Sequence, residues 1–138
     1  HMYRAIIEGI AYALREGLEL FEKKRIHHKV NELRISGGGS QSDLICQITA
    51  DVFNRPVSRI QTYECSTLGC AMSTFIAHGE FKNKKEAADE MVKVSATFYP
   101  NPANVKKYDY LFEHAYMKIY PQLKNIYKDI KEYDDKNC

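Results

Sequence analysis

Three consecutive glycines, Gly37, Gly38 and Gly39, stand between an apolar run, residues 30–35, and an amphipathic segment that opens with Ser40, Gln41, Ser42 and Asp43. That order reads as strand, loop, helix. Glycine lets the main chain turn sharply and lets a ligand reach backbone N–H groups with no Cβ in the way. A helix start adds unpaired donors at the positive end of its dipole. The chemistry on offer is anion binding, a phosphate in particular. No Gly-Lys-Ser/Thr follows the glycines, so the loop is not a Walker P-loop. The spacing G-x-G-x-x-S over residues 37–42 is closer to a dinucleotide fingerprint, with Glu64 standing where a ribose-binding acid would sit. Serine fills the third position, the acid is late and a helix precedes the first strand. The spacing alone therefore leaves a plain structural turn between strand and helix open.

Other reactive side chains form no comparable pattern. Cys46 and Cys70 fall on apolar helix faces and Cys138 ends a polar tail, so reduced, buried thiols are expected rather than a disulfide frame. A zinc set of Cys65, Cys70, His78 and His114 lacks a second tight pair, and both histidines read as satisfied surface or core residues. The basic cluster Lys23, Lys24, Arg25, His27, His28 and Lys29 follows a helix end, where cations oppose the negative dipole terminus, and reads as a solvated turn. No catalytic residue and no metal ligand emerges.

The chain has 138 residues, the size of one domain. Twenty basic against eighteen acidic side chains leave a net charge of +2, which argues against a nucleic-acid surface. No apolar run approaches the ~20 residues of a membrane span, and nothing resembles a secretory signal, so a soluble cytoplasmic protein is expected. His1 and Met2 read as a tag remnant and residues 3–138 as the domain; the helical pattern begins at once, as though the chain had been cut before a helix.

The elements that must position the glycines follow from periodicity. Residues 3–24 carry Ile6, Ile7, Ile10, Leu14, Leu18 and Phe21 at helical spacing. Residues 30–36 read as a first strand, and residues 40–54 as a helix that Ser40 or Ser42 can cap. Residues 57–64 read as a second strand, extended beyond Ile60. A third helix has Leu68, Ala71, Met72, Phe75 and Ile76 inward and a left-handed stop at Gly79. Asn83 caps a fourth, running to about residue 94, and residues 98–102 break it. From residue 103 to 133 one pattern of Val105, Tyr108, Phe112, Ala115, Tyr116, Ile119, Leu123, Ile126, Tyr127 and Ile130 predicts a long helix, kinked or split at Pro121. The tyrosines read as core residues with hydroxyls at the rim. Two strands joined through a helix make a parallel βαβ unit, and such a sheet wants further strands. Their absence would leave sheet edges and apolar helix faces open, so association into homodimers is expected.

Four blocks carry a family resemblance. Arg4-Ala5-Ile6-Ile7-Glu8-Gly9-Ile10-Ala11, then Ile35-Ser36-Gly37-Gly38-Gly39-Ser40-Gln41-Ser42, then Gln47-Ile48-Thr49-Ala50-Asp51-Val52-Phe53-Asn54-Arg55-Pro56-Val57, then Glu64-Cys65-Ser66-Thr67-Leu68-Gly69-Cys70-Ala71 stand in collinear order. Together they resemble the FGGY carbohydrate kinases, a family that includes glycerol kinase and xylulokinase within the actin-like ATPases. The resemblance covers nearly the whole chain but only the latter part of such a kinase. It implies an α/β fold, a helix-rich fragment of an actin-like ATPase (ribonuclease H-like) domain with two parallel strands and a long C-terminal helix. It also implies that Gly37, Gly38, Gly39, Ser40, Gln41 and Ser42 hold an adenine nucleotide, with main chain against ribose and phosphates and Ser42 near the base. ATP and Mg are the implied cofactors, the metal being held through the nucleotide and a missing N-terminal kinase domain. The implied reaction moves the γ-phosphate of MgATP to a sugar or polyol hydroxyl. Its aspartate base and substrate pocket would belong largely to that missing domain, so the fragment alone is expected to be inactive. Asp43 is expected to serve the helix N-terminus, Arg4 and Glu8 to make helix contacts, and Cys70 to replace an alanine of the family's Gly-Ala-Ala. Two other readings remain open: a fragment of a dinucleotide-binding oxidoreductase, and a helical interaction module with no ligand.

Overall fold

The computed structural model describes residues 1–26 and 29–137. His27, His28 and Cys138 lie outside the described residues. Helix α1 (Met2–Phe21) ends in a wide π turn (Glu22–Ile26), and the chain returns as β1 (Leu33–Ile35). A 3-10 turn (Gly38–Gln41) leads into α2 (Asp43–Phe53), then β2 (Val57–Ile60), α3 (Cys65–His78) and α4 (Lys84–Met91). Strand β3 (Val94–Phe98), α5 (Pro102–Leu111), a second π turn (Phe112–Tyr116) and α6 (Met117–Asn137) complete the order.

The sheet has the order β1-β2-β3, with β1 and β2 parallel as expected and Leu33 opposite Val57. Strand β3 is the departure. The fourth helix stops at Met91, short of the expected residue 94, and residues 94–98 pair antiparallel with β2. The Gln61 side chain fixes that stop: its Nε2 donates to the Met91 carbonyl at 2.6 Å, while its Oε1 accepts from the Lys93 N–H at 2.8 Å. Ser95 sits in a bulge of β3 and its hydroxyl donates to the Arg59 and Ile60 carbonyls.

The core lies among α1, α2 and α5, where Ile7, Ala11, Tyr12, Ile48, Val52, Tyr108 and Phe112 are buried. Of the apolar face expected on α1, Ile7 is buried, whereas Ile6, Ile10, Leu14 and Phe21 are exposed; Ala11 and Tyr12 turn inward instead. Helix α1 thus has a second apolar side, and with β1 and α2 it walls an open groove of about 520 Å³. Two anchors hold the ends of α1. Glu22 receives both terminal nitrogens of Arg55 at 2.8 Å and the Val30 N–H at 2.6 Å, which steers the chain back towards β1. Arg4 and Glu8 form an i,i+4 pair that closes on the Tyr108 hydroxyl, which donates to Glu8 at 2.7 Å. These are the helix contacts expected of Arg4 and Glu8.

Asn83 caps α4 by accepting from the Lys85 and Glu86 N–H groups, and Gly79 takes a left-handed φ of 91° after α3. Helix α3 buries no residue fully; Phe75 and Cys70 are exposed, so of the expected buried thiols only Cys46 is fully enclosed. The helix begins at Cys65, and Glu64 occupies its N-cap without a side-chain bond. Neither His78 nor His114 is buried, and His114 stacks on Tyr110 at 4.3 Å. The last helical stretch does not break at Pro121: helix runs on through it, and the irregularity lies upstream in the π turn. Tyr108 and Tyr116 are core residues with hydroxyls at the rim, bonded to Glu8 and Glu16, whereas Tyr120 and Tyr127 on α6 are exposed.

Tyr12 packs its ring against Tyr108, Phe112 and Tyr116 at centroid distances of 6.1, 5.7 and 5.4 Å. Burial, reinforced by the nearby Glu8 charge, pushes its hydroxyl up to about 12. Tyr108 is shifted up too, by burial and by its bond to Glu8. A folded-state pKa above the unfolded value of about 10 confers stability that is complete below pH ~10 and is lost as pH rises through the folded pKa. The denaturation midpoint is therefore expected to fall steeply between pH ~10 and ~12. Urea melts across that range check it, with Tyr12→Phe expected to flatten the fall; an unaltered slope would mean that Tyr12 ionises freely in the folded chain.

Candidate functional site

Strand β1 delivers the chain to Gly37, whose φ of 85° and ψ of 177° belong to a region open essentially to glycine alone. The Gly37 N–H donates to the Tyr63 carbonyl at 3.1 Å, which ties the loop to the segment after β2. Gly37 in turn supplies the carbonyl around which the loop closes. It accepts from the Ser40 N–H at 3.0 Å and from the Ser40 hydroxyl at 2.7 Å. Ser40 is 2% exposed, and its own carbonyl accepts from the Cys46 thiol and from Arg59. It is a staple inside the loop, with its hydroxyl turned away from solvent. Cys46 is fully buried beneath it, and burial pushes that thiol up, which keeps it protonated.

Gly38, Gly39 and Gln41 are exposed. A Cβ at Gly39 would touch only the Ile45 side chain, at 3.8 Å. At Gly38 the φ is not left-handed and nothing lies within 4 Å of where a Cβ would be. The fold therefore makes no demand for glycine at residue 38. Ser42 stands at the N-cap of α2 in extended conformation, but its side chain accepts no bond from the helix. Asp43 sits in the first turn, as expected, and its carboxylate receives Arg59 at 2.8 Å.

Arg59 is a residue that the sequence reading missed. It rises from β2, donates through one nitrogen to Asp43 and to the Ser40 carbonyl at 3.2 Å, and lies over the Phe98 ring at 5.5 Å. It binds loop, helix start and sheet into one unit. A cation in an otherwise buried strand was the available signal, because ligands of open α/β sheets gather at the carboxyl ends of strands. Ser40, Gln41 and Arg59 line an open cavity of about 340 Å³ together with Ile60, Gln61 and Tyr63. Its walls offer a guanidinium, an amide and the exposed ring of Tyr63. On the other side of the loop, Gly39 and Ser36 border the apolar groove beside β1. The loop is thus a ridge between a polar cavity and an apolar groove. Glu64 occupies the N-cap position of α3, with no side-chain bond to that helix.

Comparison with known proteins gives this ridge its context. Residues 1–78 match the model of the FGGY family of carbohydrate kinases, C-terminal domain. The chain belongs to that family. Over 135 residues, 96% of its length, it is 35% identical to a xylulose kinase of Bacillus subtilis, and it is 34% identical over 134 residues to an uncharacterized sugar kinase of Escherichia coli. Its fold is that of a xylulose kinase from Lactobacillus acidophilus, with a TM-score of 0.80 and 26% identity over 94% of this chain. In each case it spans only about a quarter of the relative: 26%, 25% and 26% respectively. The structural likeness places this small mixed sheet and its helices within the actin-like ATPase fold of the FGGY kinases.

Neither Gly37 nor Gly38 has an atom within 4 Å of a notional Cβ, so the outer face of the loop is open to the approach of a ligand. The carboxylate beside the loop, Asp43, is paired with Arg59. Among the described residues no three His, Cys, Asp or Glu side chains converge. No helix is long and apolar enough to cross a membrane among the described residues.

Proposed function

We propose that this chain is the adenine-nucleotide-holding wall of a sugar or polyol kinase, an enzyme that moves the γ-phosphate of MgATP to a carbohydrate hydroxyl. The observation that carries the reading is the place of the glycine loop, at the carboxyl end of the parallel strand β1 and the start of α2, with Gly38 and Gly39 exposed and the space above Gly38 empty. A close-approaching ligand accounts for it. MgATP supplies the transferable phosphoryl group and the charge neutralisation that this transfer needs. The chain's own residues hold and orient. Gly37 turns the main chain, Gly38 and Gly39 keep the ridge low enough for ribose and phosphates to lie against it, Gln41 lines the polar cavity beside it, and Ser42 lies towards the base. Ser40 and Arg59 keep the ridge rigid from beneath. The base that activates the hydroxyl, the metal ligands and the sugar pocket belong to the remaining three quarters of such a kinase, so these 138 residues alone turn nothing over.

Calorimetric titration of the chain with ADP and with NAD tests the reading. ADP is expected to bind and NAD to compete poorly. NAD binding more tightly than ADP would instead make the chain part of a dinucleotide-dependent oxidoreductase. Phosphorylation of xylulose or glycerol by the chain on its own would refute its predicted dependence on a second domain.

A further inference from the structure

The first turn of α2 carries Asp43, whose side chain is 76% exposed beside the glycine ridge. A carboxylate there gains from the same helix N-terminus that an anionic ligand would use, and it repels that ligand. Arg59 meets this charge. Through Nη1 alone it donates to the Asp43 carboxylate at 2.8 Å, to the Ser40 carbonyl at 3.2 Å and to the Gln41 carbonyl at 3.5 Å. Three oxygens at the base of the loop, one of them charged, are thus gathered on one cationic nitrogen. The cation itself is held in place: its side chain is 24% exposed and its guanidinium lies over the Phe98 ring at 5.5 Å. Arg59 and Asp43 are also the charges that act on the Cys46 thiol beneath the loop, and they act in opposite directions. The local balance is one charge against one.

We propose that Arg59 is a positioning residue that acts through Asp43: by neutralising that carboxylate it lets ligand phosphates lie at the start of α2, and the pair sets how binding depends on the number of phosphates. The inference rests on the nucleotide reading of the ridge. With the pair intact the side-chain charges cancel, and the helix N-terminus is left to favour an anion. Loss of Arg59 leaves a net negative charge, which penalises ADP more than AMP and AMP more than adenosine. Loss of Asp43 leaves a net positive charge and reverses that order. An Arg59 that served only to tether the loop through the Ser40 carbonyl would act differently. Its loss would weaken all three ligands by one common factor, and Asp43 would have no reason to oppose it.

Calorimetric titration of the 138-residue chain with adenosine, AMP and ADP tests this, without added magnesium so that the phosphate charges stay unmasked. The variants are Arg59→Met, Asp43→Asn and the two combined. Methionine keeps an unbranched stem against Phe98 while removing the charge. The ratio of ADP to AMP affinity is expected to fall about fivefold in Arg59→Met, to rise about fivefold in Asp43→Asn, and to return to within about twofold of the original in the double variant. Circular dichroism checks that each variant folds. Should Arg59→Met fail to fold, Asp43→Asn decides by sign, since its side chain lies on the surface. A ratio that Asp43→Asn leaves unchanged or lowers would overturn the proposal. Equal ratios in all four proteins, with ADP still bound by the original chain, would overturn it and leave the nucleotide reading standing. Failure of the original chain to bind any of the three ligands would instead refute that reading, and this inference with it.

Discussion

Replacing Asp51 by alanine is expected to destabilise the chain by about 3 kcal/mol and to lower its melting temperature by roughly 10 °C. Asp51 is 2% exposed on α2, and both carboxylate oxygens are occupied. Oδ1 accepts from the Gln47 side chain at 2.9 Å and from the Asn101 N–H at 2.8 Å, and Oδ2 accepts from the Asn104 side chain at 2.7 Å. Asn101 is the N-cap of α5 and Asn104 lies in its first turn, so one carboxylate ties α2 to the start of the helix that carries Tyr108. Alanine leaves a backbone N–H and an amide donor without an acceptor at a partly buried site. A bond to a charged acceptor contributes about 1.5–3 kcal/mol, and an orphaned donor costs a comparable amount. Some of that sum returns because water reaches Gln47 and Asn104. Asp51→Asn should recover part of the loss, since its carbonyl oxygen can still accept from Asn101. Urea denaturation of the three proteins gives the answer. A loss below 1 kcal/mol for alanine would show that this junction is held by packing alone.

The second large effect is expected at Gly38. On the proposed function, Gly38→Asp should weaken ADP binding by the chain at least about 100-fold, through a carboxylate set against phosphates and a side chain filling the ridge's open face. The stability of the protein should change little, because nothing lies within 4 Å of that Cβ and the φ is not left-handed. Gly37→Ala should do the reverse in kind. It forces a Cβ onto a φ of 85° and costs about 1–3 kcal/mol of fold stability, with nucleotide lost only as the loop is lost. The contrast between the two variants would separate a glycine needed for conformation from one needed for a ligand. Unchanged nucleotide affinity in folded Gly38→Asp protein would remove the loop from the site.

Much of this molecule was written in local pattern. Helix α1, α2 and the parallel pair β1 and β2 lie where apolar periodicity and the glycine and proline signals put them, because each depends on short-range spacing. The cap at Asn83 and the left-handed stop at Gly79 are legible for the same reason. Strand β3 was not. The local pattern carries the fourth helix on to about residue 94, and what ends it at Met91 is the amide of Gln61, thirty residues earlier in the chain. No window of local sequence contains that contact. The burial of α1 was misread similarly: apolar residues wrap two sides of it, and only the docking of α2 and α5 decides that Ala11 and Tyr12 face the core while Ile10 and Leu14 do not.

The candidate site divides along the same line. Three glycines between a strand and a helix announce a ridge that a ligand can approach, and the four motif blocks announce the family, since both are matters of residue identity and order. The sequence could not tell the three glycines apart, nor show that Ser40 turns inward, nor bring Arg59 across from β2 to fasten the loop. Those depend on a backbone angle, on burial and on a contact between elements sixteen residues or more apart, Arg59 with Asp43 being the nearest. Identity and spacing determined that this chain carries a glycine-rich turn between strand and helix; only the packing of β2 against the loop decided which of its residues lie open and which hold it in shape.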